Sequence, residues 1–269
     1  MNKNAEMMIK MKTLSFDKLA KHLEASLVNY HQAEFDAWHA RLSSSNLHPI
    51  KYHKKNMELF ITCKILDIKP LDVYMDVACG NNNYLSAVRC RRKIAQDLKL
   101  SRRIKKIKDA HFVESDAGDI PLEANSIDKI SCHHSFEHFH EDTSFIKEVR
   151  RLLKPKGICC IVPLFISDEY IEITNSRKKF KKWSAYNPKL VCNTNSSIPG
   201  SRFSGNFARI YDIPTLKQRV LSEVDSYGIY EILIDNKRIP DLSLPCHKKV
   251  SKLNYPYRAL VIRRGNGKS

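Results

Sequence analysis

The sequence predicts an α/β protein whose core is a doubly wound, largely parallel sheet. Between about residues 73 and 163, short apolar segments of strand character alternate with segments of helical character. The strand segments are almost continuously apolar, as expected for strands that helices cover on both faces. Crossovers between parallel strands are right-handed, so this alternation predicts consecutive βαβ units.

Turn signals set the order of the elements. Pro70 marks the start of the alternating region, because the residue before a proline disfavours helix. The segment Lys154-Pro155-Lys156-Gly157 ends a helix and turns into the next strand. Strands are predicted at 73–77, 93–96, 111–113, 129–132, 158–163, 227–234 and 258–262, and helices from about 84 and at 102–108, 143–153 and 213–224.

Two regions fall outside this pattern. Apolar positions between residues 13 and 67 recur at helical intervals, so we interpret residues 1–68 as an N-terminal helical cap on a main domain at 69–269. Residues 166–210 are polar and basic and interrupt the alternation after the fifth strand. They are predicted to form an insertion on the substrate side.

The composition is that of an ordinary soluble protein. Of the 269 residues, 42% are hydrophobic and 28% are charged. No apolar run is long enough to cross a membrane and the polar N-terminus lacks a secretory signal, so we expect a cytoplasmic protein. The cysteines contain no CxxC pair and are predicted to be reduced core thiols, neither disulfides nor a zinc site. They are Cys63, Cys79, Cys90, Cys132, Cys159, Cys160, Cys192 and Cys246.

The formal charge of +17 is the unusual bulk property. The basic residues cluster at 89–93, 102–108, 177–182 and 248–252. Such a field favours an anionic partner, with nucleic acid, acidic glycans, phosphorylated metabolites and an anionic membrane surface as candidates. The alternative is a solvated basic surface without a dedicated partner.

Candidate binding residues follow the predicted strands, because ligands of doubly wound sheets bind beyond the carboxyl ends of the strands. Small residues after the first strand let the backbone approach a ligand closely. Asp97, after the second strand, stands where a carboxylate can accept hydrogen bonds from a ribose diol. The candidates are Asp76, Ala78, Gly80, Asn82, Asp97, Asp116, Ala117, His133 and His134.

These stretches together resemble the class I S-adenosylmethionine-dependent methyltransferases, in particular a methyltransferase type 11-like subgroup with D-x-[GA]-C-G, D-A-x-D-[IL]-P and L-E-H motifs. The resemblance covers residues 72–165. It implies a Rossmann-like, seven-stranded sheet and S-adenosylmethionine as the cofactor. The matching text, in order, is DVACGNNNY, IAQDLKLS, SDAGDIPLEANSIDKISCHHSFEHF and IKEVRRLLKPKGICCIV.

For the first two motifs the resemblance implies contacts with the methionine part and the ribose. Asp76, Ala78 and Gly80 would border the methionine part, and Asp97 would hold the ribose hydroxyls. The sequence departs from the usual G-x-G-x-G, because Ala78 replaces the first glycine and Asn82 the third. Asparagine is among the residues that most readily adopt left-handed backbone geometry after glycine, so the turn is expected to keep its shape.

For the third and fourth motifs the resemblance implies contacts with the adenine and the far side of the cofactor. Asp116 and Ala117 would face the adenine, and His133 or His134 would lie beside the cofactor. For Asp97 and Asp116 the alternative to a cofactor contact is that the carboxylate is solvated in its loop or caps a helix.

His134, Glu137 and His138 are the candidate catalytic residues. One interpretation is that the Glu-His pair is scaffold, and a second is that a histidine is a general base, since its unshifted pKa near ~6.5 suits that task. A third is a divalent metal site, because the three residues share one face at helical i, i+3, i+4 spacing. No further ligand can be identified, so no metal is predicted.

The acceptor is expected to bind between the cap and the insertion. His39, Arg41, Arg202, Arg209 and Tyr211 are candidates for contacts with an anionic or hydroxylated acceptor. The alternative is that they only seal the insertion onto the core.

The predicted function is methyl transfer from S-adenosylmethionine to an oxygen or nitrogen of a small molecule or glycan. Residues 207–212 resemble an H-x-R-x-[FY] stretch of glycan- and lipid-directed members, which favours a sugar acceptor. The basic charge supports RNA methylation as an alternative, and Asn82 supports a catalytically silent binding protein. A nicotinamide-dependent dehydrogenase is disfavoured, since the D-A-x-D-[IL]-P segment has no counterpart there.

Overall fold

The computed structural model describes residues 14–44, 53–81, 84–174, 184–186, 207–238 and 256–266. Its helices are α1 (Phe16–His22), α2 (Gln32–Ser44), α3 (His53–Leu66), α4 (Asp142–Leu152) and α5 (Ile213–Arg219). Its strands are β1 (Ala25–Tyr30), β2 (Val73–Val77), β3 (Arg92–Asp97), β4 (Ala110–Glu114), β5 (Ile127–His133), β6 (Leu153–Val162), β7 (Ile171–Thr174), β8 (Ser184–Tyr186), β9 (Phe207–Ile210), β10 (Ser226–Ile234), β11 (Lys237–Arg238) and β12 (Arg258–Arg263).

The main sheet confirms the doubly wound α/β fold. Its strand order is β1-β10-β12-β6-β5-β2-β3-β4, with β11 paired to β10. The strands from β4 across to β6 pair in parallel, whereas β12 is antiparallel to both of its neighbours. The described sheet has 9 strands rather than seven, because β1 and β11 both add to β10. The chain reverses its direction of travel across the sheet between β2 and β5, which is where a ligand is expected.

The prediction of helix throughout residues 13–67 is wrong at β1. Leu19 and Leu23 are buried as the helical pattern requires, but Leu27 is 52% exposed on a strand. This strand pairs in parallel with β10 over six residues, from Ala25 opposite Ile229 to Tyr30 opposite Ile234. Pairing with a strand two hundred residues away therefore overrides the local helical spacing.

Two predicted helices are only short 3₁₀ turns. The helix expected from about residue 84 is the turn Tyr84–Ala87, and that expected at 102–108 is the turn Ile104–Lys106. In the second, Ile104 and Ile107 are buried while the basic residues between them face solvent. These two side chains join an apolar cluster that α2 and α3 also contribute to, so a single turn is enough at this position.

Two apolar clusters cover the two faces of the sheet. Along β2, Val73 and Met75 belong to the cluster with α1, α4 and α5, whereas Tyr74 belongs to the cluster with α2 and α3. On β6, Cys159 and Cys160 divide in the same way. Burial of both faces explains why these strands have continuous apolar sequences.

The described cysteines form no disulfide with one another; Cys79, Cys132, Cys159 and Cys160 are buried, whereas Cys63 and Cys90 are partly buried. Burial raises the pKa of both Cys63 and Cys160 to about 12, which keeps these thiols protonated and unreactive. Cys192 and Cys246 lie outside the described residues.

The predicted insertion contains a small sheet of its own. Strands β7, β8 and β9 form a three-stranded antiparallel sheet in the order β8-β7-β9. A bridge between Ile166 and Tyr211 joins the two ends of the insertion. Within the described ranges, no helix is both long enough and apolar enough to cross a lipid bilayer.

Candidate active site

The turn after β2 contains two small residues in the left-handed backbone region. Ala78 and Gly80 have φ values of 52° and 58°, in the left-handed region. A Cβ atom on Gly80 would meet no atom within 4 Å, so the space in front of this residue is open. For alanine this conformation costs roughly 1–2 kcal/mol, which surrounding contacts must offset. Asn82 lies outside the described residues.

Gln96 supplies those contacts and was not identified from the sequence. Its Oε1 accepts a hydrogen bond from the Ala78 N–H at 3.1 Å, and its carbonyl accepts one from the Cys79 N–H at 3.0 Å. Its Nε2 donates to the Ser115 carbonyl at 2.7 Å. Gln96 is 1% exposed. A buried polar residue next to the end of an apolar strand is the signal that identifies it in retrospect.

Asp97 ends β3 with its carboxylate facing the turn. Oδ2 accepts the Gly80 N–H at 2.8 Å, and the side chain is only partly buried. A carboxylate has about four lone-pair directions, so it retains acceptor capacity beyond this bond. This geometry suits simultaneous contacts with the turn and with a diol.

Asp76 occupies a deeper position than the predicted contact with a cofactor suggests. Its side chain is 0% exposed, and its Oδ1 accepts a hydrogen bond from the Ser131 hydroxyl at 2.7 Å. The Tyr74 hydroxyl lies 2.6 Å from the same serine oxygen. Burial, and next the charge of Asp76, raise the pKa of Tyr74 well above its usual value. This network supports the turn from below.

The segment after β4 forms a tight turn beside Gln96. Asp116 is exposed, and its Oδ1 accepts the Gly118 N–H at 2.7 Å, whereas Ala117 is 9% exposed. An added Cβ on Gly118 would lie 2.9 Å from the Ser144 Cβ. The carboxylate thus caps its own loop and still faces solvent on the ligand side.

The segment after β5 lies against the turn after β2. The Ser135 hydroxyl contacts the Ala78 carbonyl at 3.3 Å and the His133 carbonyl at 2.9 Å. The His133 ring turns toward α3, where its Nε2 lies 3.0 Å from the Thr62 hydroxyl. His134 has φ 46°, and its Nε2 lies 2.6 Å from Oε1 of Glu58.

Glu137 brings the candidate catalytic residues together. Its Oε1 lies 3.8 Å from Nδ1 of His134 and 3.7 Å from Nε2 of His138. The Glu137 side chain is 3% exposed, and among the described residues neither of its carboxylate oxygens has a hydrogen-bond partner. A buried carboxylate without hydrogen-bond donors is costly, so a bound group that donates to Glu137 would stabilise this arrangement.

The interpretation of the histidine cluster as a metal site depended on helical spacing, which the structure does not show. Residues Phe136–His138 form a 3₁₀ turn, so the helical i, i+3, i+4 spacing of His134, Glu137 and His138 does not apply. Within the part of the chain that the structure describes, no group of three or more His, Cys, Asp or Glu side chains is arranged to hold a metal ion.

The contacts of Arg209 and Tyr211 fit the alternative in which they seal the insertion onto the core. Arg209 lies 2.6 Å from Asp142 and donates to the Tyr170 hydroxyl at 2.8 Å and the Phe139 carbonyl at 3.0 Å. Tyr211 donates to Asp142 at 2.5 Å, and both residues are buried. Arg209 neutralises the buried charge of Asp142 and Tyr211 donates a hydrogen bond to it, so both residues hold the insertion against the core.

The cap residues divide between core and surface. His39 stacks on Phe35 with ring centroids 5.6 Å apart, and its Nε2 lies 2.9 Å from the Asn56 amide. Arg41 is exposed near the end of α2. Arg202 lies outside the described residues.

Comparisons with known proteins agree with this fold. Residues 75–161 match the model of the Methyltransf_11 family, described as a methyltransferase domain. A Haloferax volcanii protein solved in complex with the Trm112 methyltransferase activator is 14% identical over 86% of this chain and 98% of its own, with a TM-score of 0.51. The [4+2]-cyclase SpnF is 14% identical over 83% and 86%, with a TM-score of 0.50.

A third similar structure is a Burkholderia thailandensis 1,6-didemethyltoxoflavin-N1-methyltransferase with bound S-adenosylhomocysteine, 14% identical over 90% of this chain and 94% of its own, at a TM-score of 0.46. No curated protein matches this sequence. At such identities a structural likeness establishes the fold alone.

Residues 75–161 are a methyltransferase domain, which makes the protein an S-adenosylmethionine-dependent methyltransferase with S-adenosylmethionine as its cofactor. The match lies on the segment that carries the glycine turn, the two strand-end carboxylates and the histidine segment. These residues fit the cofactor, since the space before Gly80 is open and Asp97 retains acceptor capacity. The carboxylates also suit a sulfonium cation.

Proposed function

We propose that the enzyme transfers a methyl group to an oxygen or nitrogen of a small molecule or glycan, and that the acceptor binds at His134, Glu137 and His138. The observation that carries this proposal is the buried Glu137 carboxylate, which lacks a donor among the described residues and lies between the two histidines. The Ser135 hydroxyl ties this segment to the turn at Ala78, so acceptor and cofactor would be neighbours.

The mechanism needs alignment, exclusion of water and a place for one proton. When bound, S-adenosylmethionine supplies a methyl group on a positively charged sulfur. Asp97 and Asp116 would hold the ribose and adenine ends, with the turn at Ala78 and Gly80 around the methionine part. Holding two reactants in line accounts for much of such a rate enhancement. A histidine of the cluster would then take the acceptor's proton.

Release of S-adenosylhomocysteine tests the proposal. We expect release with hydroxylated or amine-bearing acceptors from a panel of sugars, amines and RNA, and a mass gain of one methyl group on the acceptor. His134→Asn should lower the rate about 10²–10⁴-fold. His111→Asn, on an exposed position of β4, is the matched control and should leave it unchanged. Equal rates in both variants would contradict the role of His134.

RNA is a second candidate acceptor, because the fold brings two basic clusters together. Residues 89–93 lead into β3 and residues 102–108 lead into the neighbouring strand β4. The first cluster borders a groove lined by Pro70, Arg89, Arg91, Lys93 and Asp109, among others. Most basic side chains of the two clusters make neither ion pairs nor side-chain hydrogen bonds within the described residues. They are Arg89, Arg91, Arg92, Lys93, Arg102, Arg103, Lys106 and Lys108.

A salt titration separates the two candidates. Binding of a tRNA fragment through phosphate contacts should weaken steeply between 50 and 200 mM salt, with a slope of about −0.7 per contact for single strands. A methylated RNA product together with this slope would establish the second candidate. Salt-insensitive or absent RNA binding would remove it and leave the small acceptor.

A further inference from the structure

Glu58 lies on α3 and contacts the histidine segment that follows β5. No sequence motif marks it. Its side chain is 3% exposed, and its Oε1 lies 2.6 Å from Nε2 of His134. Thr62, one helical turn further along α3, contacts Nε2 of His133 at 3.0 Å. Residues four apart lie on one face of a helix, so a single face of α3 orients both histidines.

The pairing with Glu58 determines which nitrogen of the His134 ring carries the proton. An ionised carboxylate only accepts hydrogen bonds, so pairing with an ionised Glu58 makes Nε2 the donor. In the neutral ring, Nδ1 is then the nitrogen with the free lone pair. Nδ1 is buried, has no hydrogen-bond partner among the described residues, and lies 3.8 Å from Oε1 of Glu137. Two acceptors therefore face each other, and both require a donor.

We propose that Glu58 is a positioning residue that holds His134 as the Nε2–H tautomer, so that Nδ1 receives the proton of the methyl acceptor. This inference rests on the proposed function. It also narrows the acceptor to a group with an O–H or N–H that can donate to Nδ1 of His134, to Glu137, or to both.

The transfer step balances with the residues present. The acceptor's O–H or N–H bond breaks, and the electron pair of its oxygen or nitrogen forms the new bond to the methyl carbon. The carbon–sulfur pair stays with sulfur, and the proton moves to Nδ1 of His134. The resulting imidazolium lies between the carboxylates of Glu58 and Glu137, which stabilise its charge.

Nitrogen-15 NMR of the histidine-labelled protein with bound S-adenosylhomocysteine tests the tautomer. The His134 signals are assigned by their loss in His134→Asn. We expect one nearly pure Nε2–H tautomer in the wild type, because protonated and bare ring nitrogens resonate far apart. A wild-type ring with the proton on Nδ1 would overturn the proposal without any variant of Glu58.

A matched pair of variants on α3 tests the cause. Glu58→Ala should shift His134 to a mixture of tautomers, whereas Thr62→Ala should change the signals of His133 and leave those of His134 in place. Unchanged His134 signals in Glu58→Ala would show that another group sets the tautomer. Calorimetric titration of S-adenosylmethionine is run separately: failure to bind would defeat the proposed function, while the tautomer measurement tests only the role of Glu58.

Discussion

The two edges of the parallel sheet carry opposite charges. At the carboxyl edge lie Asp76 within the end of β2, Asp97 as the last residue of β3, and Asp116 and Glu137 beyond the ends of β4 and β5. At the amino edge, before β3 and β4, lie the two basic clusters at 89–93 and 102–108. The candidate active site is therefore acidic, although the whole chain has a net charge of +17. A sulfonium cofactor and a proton-donating acceptor match the acidic edge.

The edges also differ in how their charges are held. Asp97 and Asp116 each accept a backbone N–H within the site, and Asp76 accepts a serine hydroxyl. The basic clusters have no such partners within the described ranges, apart from Lys105, which pairs with Glu114. Substitutions at the carboxyl edge should therefore affect folding and cofactor binding, whereas those at the amino edge should affect only binding of an external anion.

Asp142→Asn is expected to have the largest effect. The Asp142 carboxylate is 0% exposed at the start of α4, and it contacts Arg209 at 2.6 Å, Tyr211 at 2.5 Å and Arg219 at 2.5 Å. Removing the charge leaves Arg209 buried without its counter-ion. We expect a loss of about 3–5 kcal/mol in the free energy of unfolding, measured by urea denaturation.

The pH dependence of unfolding provides the control for Asp142. Burial alone raises the pKa of this carboxyl, but the hydrogen bond from Arg219 and the charge of Arg209 outweigh burial and lower the pKa below its usual value. Its contribution is then complete above the unfolded pKa of about 3.9 and is lost as the pH falls through the lower folded value. Asp142→Asn should remove this part of the acid destabilisation; an unchanged acid profile would contradict the assignment.

Asp97→Ala is expected to have the next largest effect, on the cofactor. A hydrogen bond to a charged group contributes about 1.5–3 kcal/mol, so losing one ribose contact should weaken S-adenosylmethionine binding about 10- to 100-fold in calorimetry. Glu114→Ala, an exposed carboxylate at the end of β4, is the control and should bind normally. Parental affinity in Asp97→Ala would refute the ribose role.

Gln96→Leu tests whether the hydrogen bonds that Gln96 makes beneath the turn are needed for cofactor binding. The substitution leaves the Ala78 N–H and the Ser115 carbonyl without their side-chain partner. Buried groups left unsatisfied cost about 1–3 kcal/mol, which should appear as a lower free energy of unfolding together with weaker cofactor binding. A variant that loses stability but keeps full cofactor affinity would separate the two roles.

The sequence predicts which carboxylates stand at the ends of β3 and β4, because that signal is local along the chain. Asp97 and Asp116 follow strands that periodicity identifies, so their position needs no knowledge of distant contacts. Glu58 and Gln96 escaped prediction because a buried polar residue on a helix or strand has no pattern of its own until its partner is known. Likewise β1 escaped, since its partner β10 lies two hundred residues further along the chain.

The smallest expected effect on folding is at the amino edge. The triple variant Arg89→Gln, Arg91→Gln, Lys93→Gln removes three cations without ion-pair partners among the described residues, so its free energy of unfolding should stay within about 0.5 kcal/mol of the parent. Cofactor affinity should be unchanged, because the groove lies at the opposite end of the strands.

The triple variant of the groove should instead change the binding of a polyanion. If RNA binds at this groove, the triple variant should reduce the slope of log affinity against log salt, since each lost phosphate contact removes about 0.7. Replacing Lys18, Lys64 and Lys147 by Gln removes the same charge from cations paired with Asp168, Glu34 and Glu223, and serves as the control. Equal slopes in both triples would mean that net charge acts alone, whereas a loss confined to the groove would make the amino edge a specific anion-binding surface.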